Sequence, residues 1–206
     1  MENTQDYYHV SVAHVAALSL MGVAEAIEED MERPAVVVLG DYGHVADAAG
    51  PDGAVRHANI FPNMLGFIET YQTLIVRHPK GPMETETWYF NLVDKNATAE
   101  QREQVRLRAV RNLGPAGLIE QEDAENWELS SKASETMAMR DMPLNYQMGL
   151  GHGVVKDDGS TPFARIDDEP VANEHYMRWG HRSWAEWMDA DNWEMFEQTR
   201  TKPGDA

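Results

Sequence analysis

Between residues 35 and 91 the chain sets short β-favouring runs against turn residues, and this pattern limits the possible folds more than any other feature. Val36-Val37-Val38-Leu39 is β-branched and stops at Gly40; Ala58-Asn59-Ile60-Phe61 and Thr73-Leu74-Ile75-Val76-Arg77 follow it. Trp88, Phe90 and Leu92 alternate with Thr87, Tyr89 and Asn91, the two-residue period of a half-buried strand. Pro51-Asp52-Gly53 and Pro79-Lys80-Gly81-Pro82 supply turns between the runs. Connections this short cannot carry a crossover, so consecutive strands must pair antiparallel.

Helical signals flank the strands. Residues 8–29 are rich in Ala, Leu, Met and Val and read as helix. Thr98 with Gln101 has the form of a capping box, followed by apolar Val105, Leu107, Ala109 and Val110 and stopped by Gly114-Pro115. A second helix is expected over residues 116–139. Residues 172–199 hold four of the six tryptophans (Trp179, Trp184, Trp187, Trp193) and are expected to be helical and docked. Helix, sheet, then helices in one stretch of 206 residues is an α+β domain.

Composition removes several kinds of function. Seventeen Lys and Arg against 35 Asp and Glu give a formal charge of −18, the wrong sign for nucleic acid or an anionic membrane surface. There is no cysteine, which excludes disulfides, Cys-ligated zinc, thiol nucleophiles and thiolate-held iron–sulfur clusters in these residues. A metal site here must use His, Asp and Glu. The apolar stretch at residues 10–27 follows Glu2 and Asp6 and contains His14, Ser19 and Glu25, so it reads as folded protein and a cytoplasmic location is expected. No Gly-rich phosphate loop or Gly-x-Ser-x-Gly elbow is present.

Two segments carry candidate chemistry. One is Glu2-Asn3-Thr4-Gln5-Asp6-Tyr7-Tyr8-His9, with His14 five residues on; the other runs from Gly114-Pro115-Ala116-Gly117 through Glu120-Gln121-Glu122-Asp123 to Asn126-Trp127. Two imidazoles and a distant carboxylate are the parts of a facial triad, which holds Fe(II) on one face and leaves positions open. On a regular helix, residues five apart lie about 140° round the axis, so the backbone must bend or the metal must sit between the side chains. The spacing alone leaves open the ordinary alternative of one core and one surface histidine.

In combination, the two strings resemble the iron-binding motifs of Rieske-type aromatic-ring-hydroxylating dioxygenase large subunits. Ile60-Phe61-Pro62-Asn63, Arg77-His78-Pro79, Trp88, Val93-Asp94 and Pro143-Leu144-Asn145-Tyr146-Gln147-Met148-Gly149 fall in that family's order. The resemblance implies a helix-grip fold, an antiparallel sheet wrapped around a long helix. It also implies that residues 1–206 form a mononuclear-iron catalytic domain whose iron–sulfur (Rieske) domain is not in this chain.

Carried over by motif, His9, His14 and Asp123 would bind Fe(II), and Asp6 would bridge to the cluster of a neighbouring subunit. Asn3 would lie beside the iron, and Val10, Leu113 and Ile119 would line the substrate pocket. The implied reaction is cis-dihydroxylation of an apolar aromatic ring with O2 and NADH-derived electrons. A reductase and a ferredoxin would deliver them through a 2Fe–2S cluster that this chain cannot itself bind. A homotrimer, with or without a small β subunit, is the implied assembly. The competing expectation is a helix-grip module that holds a hydrophobic ligand or a metal without redox chemistry.

Overall fold

The computed structural model describes residues 6–23, 33–48, 55–68, 71–145, 147–157, 159, 161–170 and 172–206. Its chain order begins with two short helices, α1 (Val10–Ala13) and α2 (Val15–Met21). Six strands follow: β1 (Pro34–Gly40), β2 (Val45–Ala48), β3 (Val55–Ile60), β4 (Met64–Phe67), β5 (Thr73–Gly81) and β6 (Glu84–Asn91). Helices α3 (Ala99–Leu113), α4 (Glu120–Ser134) and α5 (Met137–Arg140) come next, then β7 (Val155–Lys156) and β8 (Phe163–Pro170). The chain closes with α6 (His175–Asp189) and α7 (Trp193–Thr199).

The strands make one sheet in the order β6-β5-β4-β3-β2-β1-β8-β7, with every neighbour antiparallel. The expected antiparallel α+β fold is therefore present, with four refinements. Strands β2, β4 and β8 escape a propensity reading because Ala-Asp-Ala, a Gly-containing tetrapeptide and a charged run do not look like strands in isolation. The turn expected over Pro79–Pro82 is displaced, because β5 keeps pairing as far as Gly81. The helix expected over residues 116–139 starts only at Glu120 and breaks after Ser134. The first expected helix is interrupted at His14, and Gly22 in the left-handed conformation caps α2. Residues 24–29 of that expected helix and the Pro51-Asp52-Gly53 turn lie outside the described residues.

Register assigns each side chain to a face. Leu39 pairs with Val45, Val45 with Asn59, Asn59 with Leu65, Leu65 with Ile75 and Ile75 with Tyr89. The parallel row is Val37, Asp47, His57, Phe67, Thr73 and Asn91. Directly paired residues share a face, so both rows belong to one inner surface. Helix α6 buries Tyr176, Trp179, Gly180 and Ser183, a one-sided stripe at positions i, i+3, i+4 and i+7. Tyr176 and Trp179 form the core with Tyr7, Ala35, Val37, Leu39, Val45 and Ile166. The Trp179 indole N–H donates to the Gly40 carbonyl at 2.9 Å, satisfying the polar atom of that buried ring. This is the helix held by the sheet, as a helix-grip requires. Among the described residues no helix is long and apolar enough to cross a membrane.

A buried carboxylate sits within the inner surface. Asp47 is fully buried; its Oδ2 accepts from the Tyr7 hydroxyl at 3.0 Å and its Oδ1 from Arg56 at 3.0 Å. Tyr7 also meets His57 Nδ1 and stacks on that ring. Burial, reinforced by the Asp47 charge, raises the Tyr7 pKa well above its usual value, so the phenol stays a donor. Asp47→Ala would strand the Arg56 guanidinium in a buried position. Urea unfolding is expected to show a loss of about 3–5 kcal/mol. A loss below about 1 kcal/mol would show that the fold does not need the pair.

Candidate metal centre

The segment carrying His9 and His14 is anchored by the two tyrosines that precede it. Tyr7 ties it to β2 and β3, while the Tyr8 hydroxyl donates to Glu174 Oε1 at 3.0 Å. Glu174 Oε2 in turn accepts from the Met148 backbone N–H at 2.8 Å. Helix α1 is a single turn, and His14 at φ −100°, ψ 16° leaves the helical conformation before α2 begins. That break removes the spacing difficulty, because the two imidazoles are not confined to one regular helix. Their rings lie 5.2 Å apart at 76°.

The third group arrives from a tight reversal after α3. Gly117 N–H donates to the Gly114 carbonyl at 2.6 Å, Leu118 N–H to Arg111 at 2.8 Å and Ile119 N–H to Asn112 at 3.2 Å. A Cβ on Gly117 would come within 2.5 Å of the Asn112 carbonyl oxygen, so the turn closes only without a side chain there. The buried Asn112 amide donates to the Tyr71 hydroxyl at 3.2 Å, tying the turn to the sheet side. Helix α4 then opens with Glu120, Glu122 and Asp123 in its first turn, where the helix dipole favours negative charge. Tyr89 of β6 donates to Glu120 Oε1, and the Arg77 guanidinium of β5 lies 5.6 Å from the centre of the Trp127 ring. Both contacts come from the inner surface, so α4 rests on the β5–β6 hairpin.

His9, His14 and Asp123 each offer one ligand atom, and these atoms lie within 4.8 Å of one another. Asp123 Oδ1 is 3.5 Å from His9 Nε2 and 3.2 Å from His14 Nε2. The far nitrogen of each ring is engaged elsewhere. His9 Nδ1 meets the Asp6 carbonyl, and His14 Nδ1 lies 2.8 Å from Glu122 Oε2. A ring proton on Nδ1 leaves Nε2 as the lone-pair nitrogen, directed at the carboxylate. Asp123 Oδ1 is buried and has no hydrogen-bond partner among the described residues, although it is close to both rings. Two lone-pair nitrogens facing an uncommitted carboxylate oxygen suit a divalent cation.

Neighbouring charges respond to this arrangement. Burial pushes the His14 pKa down, but Asp123 and Glu122 outweigh it and the net direction is up. Burial, with the Asp123 charge adding to it, pushes the Glu120 carboxyl up to about 7. Arg77 is lowered by burial, against the pull of Glu120 and Asp123.

Of the other residues singled out in the sequence, Asp6 accepts the His9 backbone N–H on Oδ1 at 3.0 Å. Val10 and Ile119 are half-buried and Leu113 is buried. The Ile119 carbonyl accepts from Asp123 N–H at 3.2 Å. Two cavities, of about 450 and 300 Å³, are lined by other residues. Asn3 lies outside the described residues. The sequence reading gave no role to Glu122, Glu174 or Arg77; Glu122 was visible as the first acid of the Glu122-Asp123 pair, whereas Glu174 and Arg77 are joined to the site only by folding.

Residues 22–190 match the family model described as "Ring hydroxylating alpha subunit (catalytic domain)". The chain belongs to this family. The matched residues include Asp123 but begin after His9 and His14, so the histidine pair rests on the geometry above. The chain is 42% identical over 96 residues to the biphenyl dioxygenase subunit alpha of Paraburkholderia xenovorans, covering 47% of this chain and 21% of that protein. It is 31% identical over 145 residues to the biphenyl 2,3-dioxygenase subunit alpha of Rhodococcus jostii, covering 70% and 30%. A naphthalene 1,2-dioxygenase solved with indole bound in the active site superposes with a TM-score of 0.78 at 19% identity, covering 95% of this chain and 53% of that one. That likeness establishes the ring-hydroxylating fold. The chain spans about a fifth to a third of the length of these curated relatives.

The reversal at Gly117 gives a direct test of how Asp123 is placed. Gly117→Ala forces a Cβ against backbone, and a destabilisation of about 1–3 kcal/mol is expected in thermal unfolding. An unchanged melting temperature would show that the turn relaxes without moving α4.

Proposed function

We propose that this chain is the mononuclear-iron catalytic domain of an aromatic-ring-hydroxylating dioxygenase, with His9, His14 and Asp123 as the iron ligands. The observation that carries this reading is the buried Asp123 Oδ1, which has no hydrogen-bond partner among the described residues and faces two imidazole Nε2 atoms. Fe(II) bound there would supply open positions at which O2 is activated for attack on an arene. The Asp6 carbonyl and the Glu122 carboxylate hold the two rings in the ligating tautomer, and Asp123 contributes the negative charge. Val10, Leu113 and Ile119 would line the substrate pocket with apolar surface, which favours a neutral ring over an aromatic acid. The relatives named for biphenyl, benzene and naphthalene are in keeping with such a substrate.

The overall conversion takes arene, O2, NADH and a proton to a cis-dihydrodiol and NAD+, with both oxygen atoms entering the product. Electrons would pass from a reductase and a ferredoxin through a 2Fe–2S cluster. These 206 residues contain no cysteine, so the cluster thiolates must lie outside them. In the assembled enzyme, a homotrimer with or without a small subunit, Asp6 would link His9 to a neighbour's cluster.

Anaerobic titration with Fe(II) is expected to show one site per chain. Asp123→Ala should weaken it by more than about 100-fold, and Glu122→Ala by roughly 10–100-fold, since an orienting partner costs less than a ligand. Equal affinity in the Asp123 variant would reject the site. Hydrogen peroxide carries its own oxidising equivalents, so with iron loaded it should support slow hydroxylation of naphthalene, read by mass spectrometry and lost in Asp123→Ala. Iron binding without any hydroxylation would favour a non-redox binding module. NADH-driven product from this chain alone would reject the electron route.

Asp6→Asn, made in the complete enzyme, separates the bridging role from iron binding. Iron content should be retained while NADH-driven turnover falls about 10–100-fold. Full turnover in that variant would remove Asp6 from the electron path.

A further inference from the structure

We infer that Arg77 is a positioning residue for the metal centre: acting through the Asp123 carboxylate, and touching neither metal nor substrate, its guanidinium biases bound iron toward the ferrous state. The inference rests on the reading of His9, His14 and Asp123 as iron ligands and concerns the charge behind them. In a chain with 35 acidic residues, arginines elsewhere pair with carboxylates: Arg56 with Asp47, Arg165 with Asp167 and Arg200 with Asp41. Among the described residues the Arg77 guanidinium makes no hydrogen bond and no ion pair, and it is set against the Trp127 ring instead.

The backbone decides where this side chain goes. Arg77 follows Thr73 and Ile75 at the two-residue period of β5, on the inner surface of the sheet. Its N–H donates to the Asn63 carbonyl at 2.9 Å and its carbonyl accepts from the Asn63 amide at 2.8 Å, so the side chain starts from a fixed point. On α4, Glu120, Asp123 and Trp127 stand at i, i+3 and i+7 along one face. Trp127 is one turn beyond Asp123, about 6 Å along the axis. The guanidinium lies 5.6 Å from the centre of that ring. Glu120 Oε1 is already taken by the Tyr89 hydroxyl, so the neighbouring acid is engaged by β6. Burial lowers the Arg77 pKa while Glu120 and then Asp123 raise it, so the guanidinium charge is felt at the ligand carboxylate.

A fixed cation at this place acts with a definite sign. A guanidinium keeps its charge in a folded protein and, being weakly hydrated, tolerates partial burial on an aromatic face. Salt screens a partly buried charge less than an exposed one. Arg77 therefore repels any cation held by His9, His14 and Asp123, and repels a trivalent ion more than a divalent one. Fe(III) carries one more positive charge than Fe(II), so the oxidised form is disfavoured and the potential of the one-electron Fe(III)/Fe(II) couple is raised. The same repulsion weakens the hold on Fe(II). A purely structural role, bracing α4 on the β5–β6 hairpin, has the opposite consequence, because loosening Asp123 weakens metal binding.

Arg77→Met and Arg77→Gln remove the charge and keep most of the stem, while Arg77→Lys keeps the charge. Anaerobic titration of the full chain gives the Fe(II) affinity, and redox titration of the high-spin ferric signal in electron paramagnetic resonance gives the Fe(III)/Fe(II) potential. Both neutral variants should bind Fe(II) about tenfold more tightly, the order of magnitude for a partly screened unit charge acting across protein. Their potential should fall, and Arg77→Lys should stay close to the unsubstituted chain on both readings. Should one neutral variant fail to fold by circular dichroism, the other carries the test. Equal or weaker Fe(II) binding in the neutral variants, an unchanged or higher potential, or a lysine variant that behaves like the neutral ones would each overturn the inference. Absence of Fe(II) binding in the unsubstituted chain would reject the iron reading and this inference with it, whereas binding indifferent to the Arg77 charge rejects the inference alone.

Discussion

A buried carboxylate is tolerated only where its oxygens are engaged, and Asp47 meets that condition by joining a strand neighbour to a residue from the start of the chain. Arg56 takes one oxygen and Tyr7 the other. Tyr7 is two residues from His9, so what neutralises the interior of the sheet also decides where the first imidazole begins. That attachment matters because α1 and α2 are short and Val12, Val15 and Leu20 are exposed, leaving Ala17 and Leu18 as the buried apolar residues of α2. The histidine segment is positioned by polar contacts more than by its own hydrophobic burial.

What the sequence revealed was local. The capping box at Thr98 and Gln101 forms as expected, because its reciprocal hydrogen bonds connect residues three apart. The alternation at Trp88, Tyr89 and Phe90 survives as outward, inward and outward side chains. Strand β8 was not legible, since Phe163–Pro170 owes its conformation to pairing with β1, more than 120 residues earlier in the chain. The five-residue gap between His9 and His14 looked awkward only on the assumption of a continuous helix, and the break at His14 is set by surroundings that no short window shows. Asp123 could be named from its motif, but the contacts that hold α4, from Tyr89 and Arg77, come from strands about 30 to 50 residues upstream.

The family match and the side-chain geometry inform each other at different points. The match places Asp123 in a ring-hydroxylating catalytic domain while starting after the histidines. The geometry supplies the histidines and shows why each ring has a single orientation, with a carbonyl behind one and a carboxylate behind the other. These orienting partners come from both halves of the site. Asp6 belongs to the histidine segment, but Glu122 sits beside Asp123, so helix α4 both brings a carboxylate and aligns the opposing imidazole.

The inner surface of the sheet has one more consequence. The histidine segment is anchored through Tyr7 to β2 and β3, and the aspartate helix rests on β5 and β6, with only the four-residue β4 between the two supports. The sheet therefore behaves like a calliper whose jaws are the two segments and whose hinge is β4. A small change in twist between β3 and β5 becomes a change in the gap between imidazole and carboxylate. The outer side of the β5–β6 support carries Trp88 and Phe90, both about half exposed, so a load applied to the back of that hairpin would be read at the jaws.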